Sequence, residues 1–258
     1  MLRFHTINRL AVAIIFILLI GSIFYNMPWW AYLILALVWF TLTVIGSFHV
    51  RWNYHIDALH SNKNCTKNHI ALTFDDGPHP KFTPKILHLL AQYNAKATFF
   101  CIGENIETNE AIFKDIDAAG HTIGNHTYSH PNNFGFFSSE KVIAELQKTN
   151  SLVKKTIGKE MKLYRPAFGV TNPNIRKALK TIRLLAIGWS IRSLDTTGRS
   201  EAQVLNKITK NITKGDVVLL HDTNEKTVAV LEQLLLFLQE QNLQSVTIDQ
   251  LFNIKPYA

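Results

Sequence analysis

Two adjacent carboxylates, Asp75 and Asp76, follow the apolar and β-branched run Ile70–Phe74 in the stretch IALTFDDGPHP. Such a run reads as a buried strand, and the Gly-Pro behind it ends the strand in a turn with both acids at its mouth. Neighbouring side chains point different ways, so one acid can hold a metal ion while the other takes a proton from water. By itself a DDGP sequence is more simply a solvated turn, and the other ligands must come from elsewhere in the chain.

GNHTYSHP supplies them: His126 and His130 lie four residues apart, a spacing that lets one turn aim both imidazoles at one point. With Asp76 they form a set of two histidines and one carboxylate. That set leaves coordination positions open for water and substrate, as catalytic Zn²⁺ requires, and other divalent metals accept the same donors. Three further clusters also close apolar runs. YRPAFG carries Arg165, with Pro166 and Gly169 shaping a turn whose backbone N–H groups can face a developing oxyanion; WSIRSLD carries Asp195, and VVLLHD delivers His221. A metal ion and a carboxylate base at one strand end can together activate water.

These groups need strand ends to present them. Seven strands are expected, at Ile70–Phe74, Ala97–Cys101, Thr122–Gly124, Leu163–Arg165, Leu184–Gly188, Asp216–Leu220 and Ser245–Thr247. Helical patterns lie between them, at Thr83–Tyr93, Asn109–Ala119, Ser139–Thr156, Asn172–Lys180, Glu201–Ile212 and Lys226–Gln241. Short apolar strands alternating with helices imply an α/β fold with parallel pairing. Periodicity does not choose between a doubly wound sheet and a closed barrel.

The front end differs in kind. Leu10–Val50 contains no Asp, Glu, Lys or Arg over 41 residues. As helix this run is ~60 Å long, about twice a hydrocarbon core, so two transmembrane helices are expected, at about 10–25 and 29–49, within an anchor spanning 1–54. Trp29, Trp30, Tyr32, Trp52 and Tyr54 suit interfacial belts. A cleaved leader before a single anchor competes with this reading, but no small-x-small site follows Phe24 and Tyr25. Arg3 and Arg9 before the pair, and Arg51, Lys63 and Lys67 after it, place both ends in the cytoplasm by the positive-inside rule. Polar residues 55–69 read as a linker to a domain at 70–254. The net charge of +8 is spread along the chain with no aromatic-interleaved basic stripe, which argues against nucleic acid as partner and leaves membrane lipids as an electrostatic one. Cys65 and Cys101 form no recognisable spacing.

TFDDGP, HTYSHP, RPAFG, SLD and LLHD, in this order over Ile70 to about Phe252, resemble the polysaccharide deacetylases of the NodB-homology group, carbohydrate esterase family 4. The resemblance implies a distorted (β/α)7 barrel and a metal-dependent hydrolase, Zn²⁺ being the expected cofactor, that removes N-acetyl groups from amino sugars. It makes Asp75 the base, Asp76, His126 and His130 the metal ligands, and Arg165 the residue that holds the base. Asp195 becomes the acid that orients the histidine, His221 the general acid, and Phe168 the backbone oxyanion donor. Trp189, Arg192 and Leu219 are candidates for substrate contact. Two positions depart from the pattern: Arg192 stands where the family usually has an acid, and Thr196 where it has a second Trp. An arginine there suits an anionic group on the substrate.

Three functions are compatible with these residues. One is a membrane-anchored N-deacetylase of a cell-envelope glycan such as peptidoglycan. Another is a deacetylase or deformylase of a lipid-linked amino sugar, and the third is a non-catalytic sugar- or metal-binding membrane protein. The sugar, the side of the membrane and the oligomeric state are left open.

Overall fold

The computed structural model describes residues 3–258. Two helices lead, α1 (Phe4–Phe24) and α2 (Trp29–Phe48), each long and apolar enough to cross a membrane. They run antiparallel, tied by Trp39 Nε1–H donating to Asn8 Oδ1 and by a Ser22–Tyr32 hydroxyl pair. α1 begins six residues before the expected Leu10, because its first turns pack on the domain rather than in an apolar run. Ile7 is buried, and Phe4 N–H donates to Tyr54 O.

The domain follows as β1 (Ala58–Leu59), β2 (His69–Asp75), α3 (Thr83–Gln92), β3 (Ala97–Cys101), α4 (Gly103–Thr108), α5 (Glu110–Ala118) and β4 (Thr122–Asn125). It continues through α6 (Ser139–Ile157), β5 (Leu163–Tyr164), α7 (Pro173–Ile182), β6 (Leu185–Ile187), β7 (Ile191–Arg192) and α8 (Glu201–Thr209). β8 (Val217–His221), α9 (Glu225–Glu240), β9 (Gln244–Ser245) and α10 (Ile248–Phe252) complete it. Every strand pair is parallel, in the order β1-β6-β5-β4-β3-β2-β8-β7, with β9 added to the start of β2. The sheet curls into the expected distorted barrel and stays open where β1 and β7 do not pair. Those two strands are the additions to the seven expected, and at two residues each they are too short to show alternation.

Strand alternation decides what faces the barrel interior. In β2, Ile70, Leu72 and Phe74 join the core under the helices, whereas Ala71, Thr73 and Asp75 point the other way. In β8, Val218 and Leu220 turn outward, leaving Val217, Leu219 and His221 on the inner face. Phe100 fills the interior so closely that a Cβ on Gly124 would lie 2.4 Å from its ring.

Residues 55–69 are not a free spacer. His55, Ile56 and Ala58 are buried, β1 pairs with β6, and Ser61 bridges Asp216 across the open seam. Its polar composition hides this role, since two paired residues give no periodic signal. The end of α2 is built into the domain as well. Ser47 O accepts from Thr171 N–H at 2.9 Å, Ser47 Oγ bonds His55 Nε2 at 3.0 Å, and Val50 is buried against Gly188. Gly46 lies under the Tyr54 ring, where a Cβ would come within 2.4 Å. Gly46→Leu should therefore lever the helix off the domain and cost about 1–3 kcal/mol, read as a lower unfolding temperature and faster proteolysis after Trp52. Adding Tyr54→Ala to that variant should restore much of the loss.

Candidate active site

Asp75 ends β2 on the inner face, and its Oδ1 accepts from Arg165 Nη1 at 2.8 Å. Arg165 follows β5 and is fully buried, with its other donors spent on Thr73 Oγ1, Gly188 O and Ile187 O. The guanidinium also lies 4.1 Å over the Phe100 ring. A buried guanidinium survives only when its donors are matched in this way.

Asp76 leaves the strand with φ 72, a left-handed conformation that swings its carboxylate away from Asp75 and toward the two histidines. Its Oδ1 lies 3.3 Å from His126 Nε2 and 3.7 Å from His130 Nε2, and one ligand atom from each of the three residues falls within 4.8 Å of the others. His126 Nδ1 sits 3.0 Å from Arg165 O, which assigns a proton to that nitrogen and leaves Nε2 facing the cluster; burial opposes its charge, but Asp75 and Asp76 raise its pKa. His130 Nε2 is buried without a hydrogen-bond partner among the described residues. Burial, and then the charge of His126, push its pKa down to about 4, leaving a neutral imidazole with a free lone pair. Burial opposes the charged form of Asp76, but His126, His130 and His221 outweigh it and hold the carboxylate well below its usual range. A carboxylate and two imidazole nitrogens, one of them orphaned, aimed at one point fit a divalent cation.

The other pair stands beside it. His221 ends β8 in register with Asp75. Its Nδ1 lies 2.8 Å from Asp195 Oδ1, and its backbone N–H donates to Oδ2, which also accepts from Thr227 Oγ1. Burial alone would lower the pKa of His221, yet Asp195, with Asp75 and Asp76 behind it, raises it to about 9. Phe168 has φ 56, its N–H carries no hydrogen bond among the described residues, and its ring packs 4.5 Å from that of His130.

The three substrate candidates go to different places. Trp189 packs under Gly169 and beside Arg165, Leu219 lies in the core, and Arg192 is exposed on the rim of a separate cleft.

Sequence patterns overlook three supporting residues. Glu145 of α6 accepts from Tyr128 N–H, Ser129 N–H and Ser129 Oγ, clamping the loop that carries both histidines. Asn105 of α4 donates to Asp76 O at 2.7 Å. Asp222 turns away from the site, accepts from Thr83 Oγ1 and fills the space that a side chain at Gly77 would need. Burial pushes its carboxyl up to about 7, against the Thr83 hydrogen bond. On a helix, Glu145 looks like any solvated acid until the histidine loop folds over it.

The polysaccharide deacetylase family profile matches residues 62–187. A peptidoglycan-N-acetylglucosamine deacetylase of Bacillus cereus is 37% identical over 191 residues, which are 72% of this chain and 89% of that protein. The chain belongs to the polysaccharide deacetylase family. It is accordingly an amide hydrolase, an N-deacetylase of carbohydrate esterase family 4, a family that depends on a metal. A crystal structure of a peptidoglycan N-acetylglucosamine deacetylase superposes with a TM-score of 0.73 at 34% identity, covering 78% of this chain and 94% of that one. A pseudoenzyme of the same family from Bacillus anthracis superposes at 0.67 with 27% identity, over 72% of this chain and 66% of that one. Fold alone therefore does not separate active from inactive members, and the residues must.

Glu145→Ala should free the histidine loop and weaken zinc retention about 10–100-fold, as loss of a ligand-orienting partner does. Competition with a chromophoric chelator reads this directly, and an unchanged affinity would show that Glu145 does not position the ligands.

Proposed function

We propose that the protein is a membrane-anchored N-deacetylase of a cell-envelope glycan, with the N-acetylglucosamine of peptidoglycan as the favoured substrate. The observation that carries this reading is the placement of Asp75 and His221 in register beside the Asp76, His126 and His130 cluster. A binding module needs neither a held carboxylate base nor a protonated imidazole. The named activity of the Bacillus cereus relative supports the choice of sugar.

Asp76, His126 and His130 would hold the metal, with Zn²⁺ the expected ion for this donor set. When bound there, a divalent cation supplies Lewis-acid polarisation of the acetyl carbonyl and makes water more acidic. Asp75 takes the proton of the attacking water, held in place by Arg165, whose Nη1 also donates to Thr73 Oγ1. The free N–H of Phe168 donates to the oxyanion as the carbonyl becomes tetrahedral. His221, kept protonated by Asp195, passes its proton to the departing amine and leaves acetate behind. Trp189 backs the Phe168 turn through Gly169 and fixes its position.

A second reading, deacetylation of a lipid-linked amino sugar, draws on a different observation. Ser47, in the last turn of α2, is bonded to Thr171, three residues from Phe168, so the oxyanion turn sits against the end of the anchor. A substrate assembled at the bilayer surface would be delivered to such a site.

Purified protein loaded with Zn²⁺ should release acetate from N-acetylglucosamine oligomers or peptidoglycan, and Asp75→Asn should lose at least about a hundredfold in kcat, the span of general-base catalysis. Full turnover by that variant would sink the mechanism. Activity should fall on the alkaline side near pH 9 as His221 loses its proton. Because Asp195 raises that pKa, Asp195→Asn should move the alkaline limb to lower pH; an unmoved limb would assign it to another group.

Both apolar helices should act as spans, so the chain should resist carbonate extraction from membranes. A reporter fused after Ala258 then separates the readings. Activity outside the cell supports the envelope glycan, whereas activity only inside agrees with the arginine and lysine distribution and with a precursor substrate.

A further inference from the structure

Where β1 and β7 fail to pair, the outer wall of the barrel sinks into a cleft of about 540 Å³. Four cations line it, from four separate segments: Arg51 from the turn after α2, Lys63 from the stretch before β2, Arg192 from β7 and Lys207 from α8. Among the described residues none of the four forms a salt bridge. The one carboxylate in the lining, Asp216, is already engaged. Its Oδ1 accepts from Ser190 Oγ at 2.7 Å and its Oδ2 from Thr213 N–H at 2.8 Å and Thr213 Oγ1 at 3.1 Å. Arg51 Nη1 donates to Ser190 O at 3.2 Å, which holds that guanidinium at the rim.

Four like charges around one concavity repel one another, and the single Asp216 carboxylate in the wall offsets only one of them. His60, in the same wall, registers this field: burial, then the charges of Arg51 and Lys63, lower its pKa. An anion with several oxygens is the complement, because guanidinium and ammonium groups can share its acceptors. Position selects the anion's source. Arg51 follows Phe48, the last residue of α2, by three residues, so the rim lies within about 11 Å of the helix end along the chain. That is the level of lipid headgroups when α2 spans a bilayer.

We infer that this cleft binds the phosphate of an anionic lipid headgroup and seats the barrel against the bilayer surface. The inference rests on reading α1 and α2 as a membrane hairpin, and it is independent of the chemistry at Asp75. Arg192, which leaves the family pattern, takes part in this cleft beside Arg51 rather than in the histidine cluster. Trp189 lines the cleft too and also touches Gly169, so the headgroup site and the oxyanion turn share a wall.

Native mass spectrometry of the full chain in mild detergent tests it, with phosphatidylglycerol, phosphatidylcholine and inorganic phosphate as probes. The wild type should retain phosphatidylglycerol about tenfold or more over phosphatidylcholine. Lys63→Gln combined with Lys207→Gln should lower phosphatidylglycerol retention about tenfold or more, at about fivefold per cation. Lys63→Arg with Lys207→Arg should keep it, which separates loss of charge from loss of fold. Equal retention of the two lipids, or no change in the glutamine variant, would overturn the inference. So would displacement of phosphatidylglycerol by millimolar inorganic phosphate, since the site would then be one for free phosphate. Carbonate extraction of the membranes from which each variant is purified separates the failures. A chain washed from the membrane loses the hairpin reading beneath the inference, whereas an anchored chain with no lipid preference loses only the cleft.

Discussion

The site depends on a guanidinium buried where no water reaches it. Arg165 bonds Asp75 and Thr73 on β2 and the carbonyls of Ile187 and Gly188 at the end of β6, while its own carbonyl faces His126 Nδ1. One residue thus joins the proposed proton acceptor, an imidazole of the candidate metal cluster and two strands on opposite sides of the barrel. Removing one partner of a buried pair leaves the other charge stranded at a cost of about 3–5 kcal/mol, so base and arginine stabilise the barrel only together. The packing around them is correspondingly tight, with Phe100 under the guanidinium and no room for a side chain at Gly124.

Two neighbouring acids acquire different chemistry from the same strand. Alternation along β2 sends Asp75 inward to a cation, and the left-handed turn at Asp76 then redirects the next carboxylate to two histidines. A similar separation holds on β8, where His221 faces the site with Asp195 behind it and Asp222 turns back under Gly77. Imidazoles in one pocket are likewise driven apart. His130 loses its proton to burial, whereas Asp195 keeps the proton of His221.

The anchor enters this arrangement as structure rather than as a tether. Ser47 bonds the strand of chain that carries Phe168, Gly46 admits the Tyr54 ring, and β1 and Ser61 occupy the seam between the sheet edges. The two leading helices and the barrel therefore share one set of contacts, and the position of the Phe168 turn is coupled to the end of α2.

Sequence by itself determined the family, the candidate site residues and most of the scaffold. Asp75, Asp76, His126, His130, Arg165, Asp195 and His221 each close an apolar strand or its turn, and residue type with order along the chain was enough to find them. The two apolar helices and the longer strands were legible for the same reason, since a long periodic segment has to be buried or placed in lipid. Tertiary structure alone decided the rest. β1 and β7 pair over two residues and leave no period to read. Glu145 and Asn105 look like solvated helix positions until a loop folds onto them. The polar run at 55–69 becomes part of the barrel, and Arg192 joins the outer cleft rather than the histidine cluster, because the open seam decides which face each of them meets. Local pattern records which face of an element is apolar; which other element meets that face is a long-range contact, and it exists only once the sheet has curled.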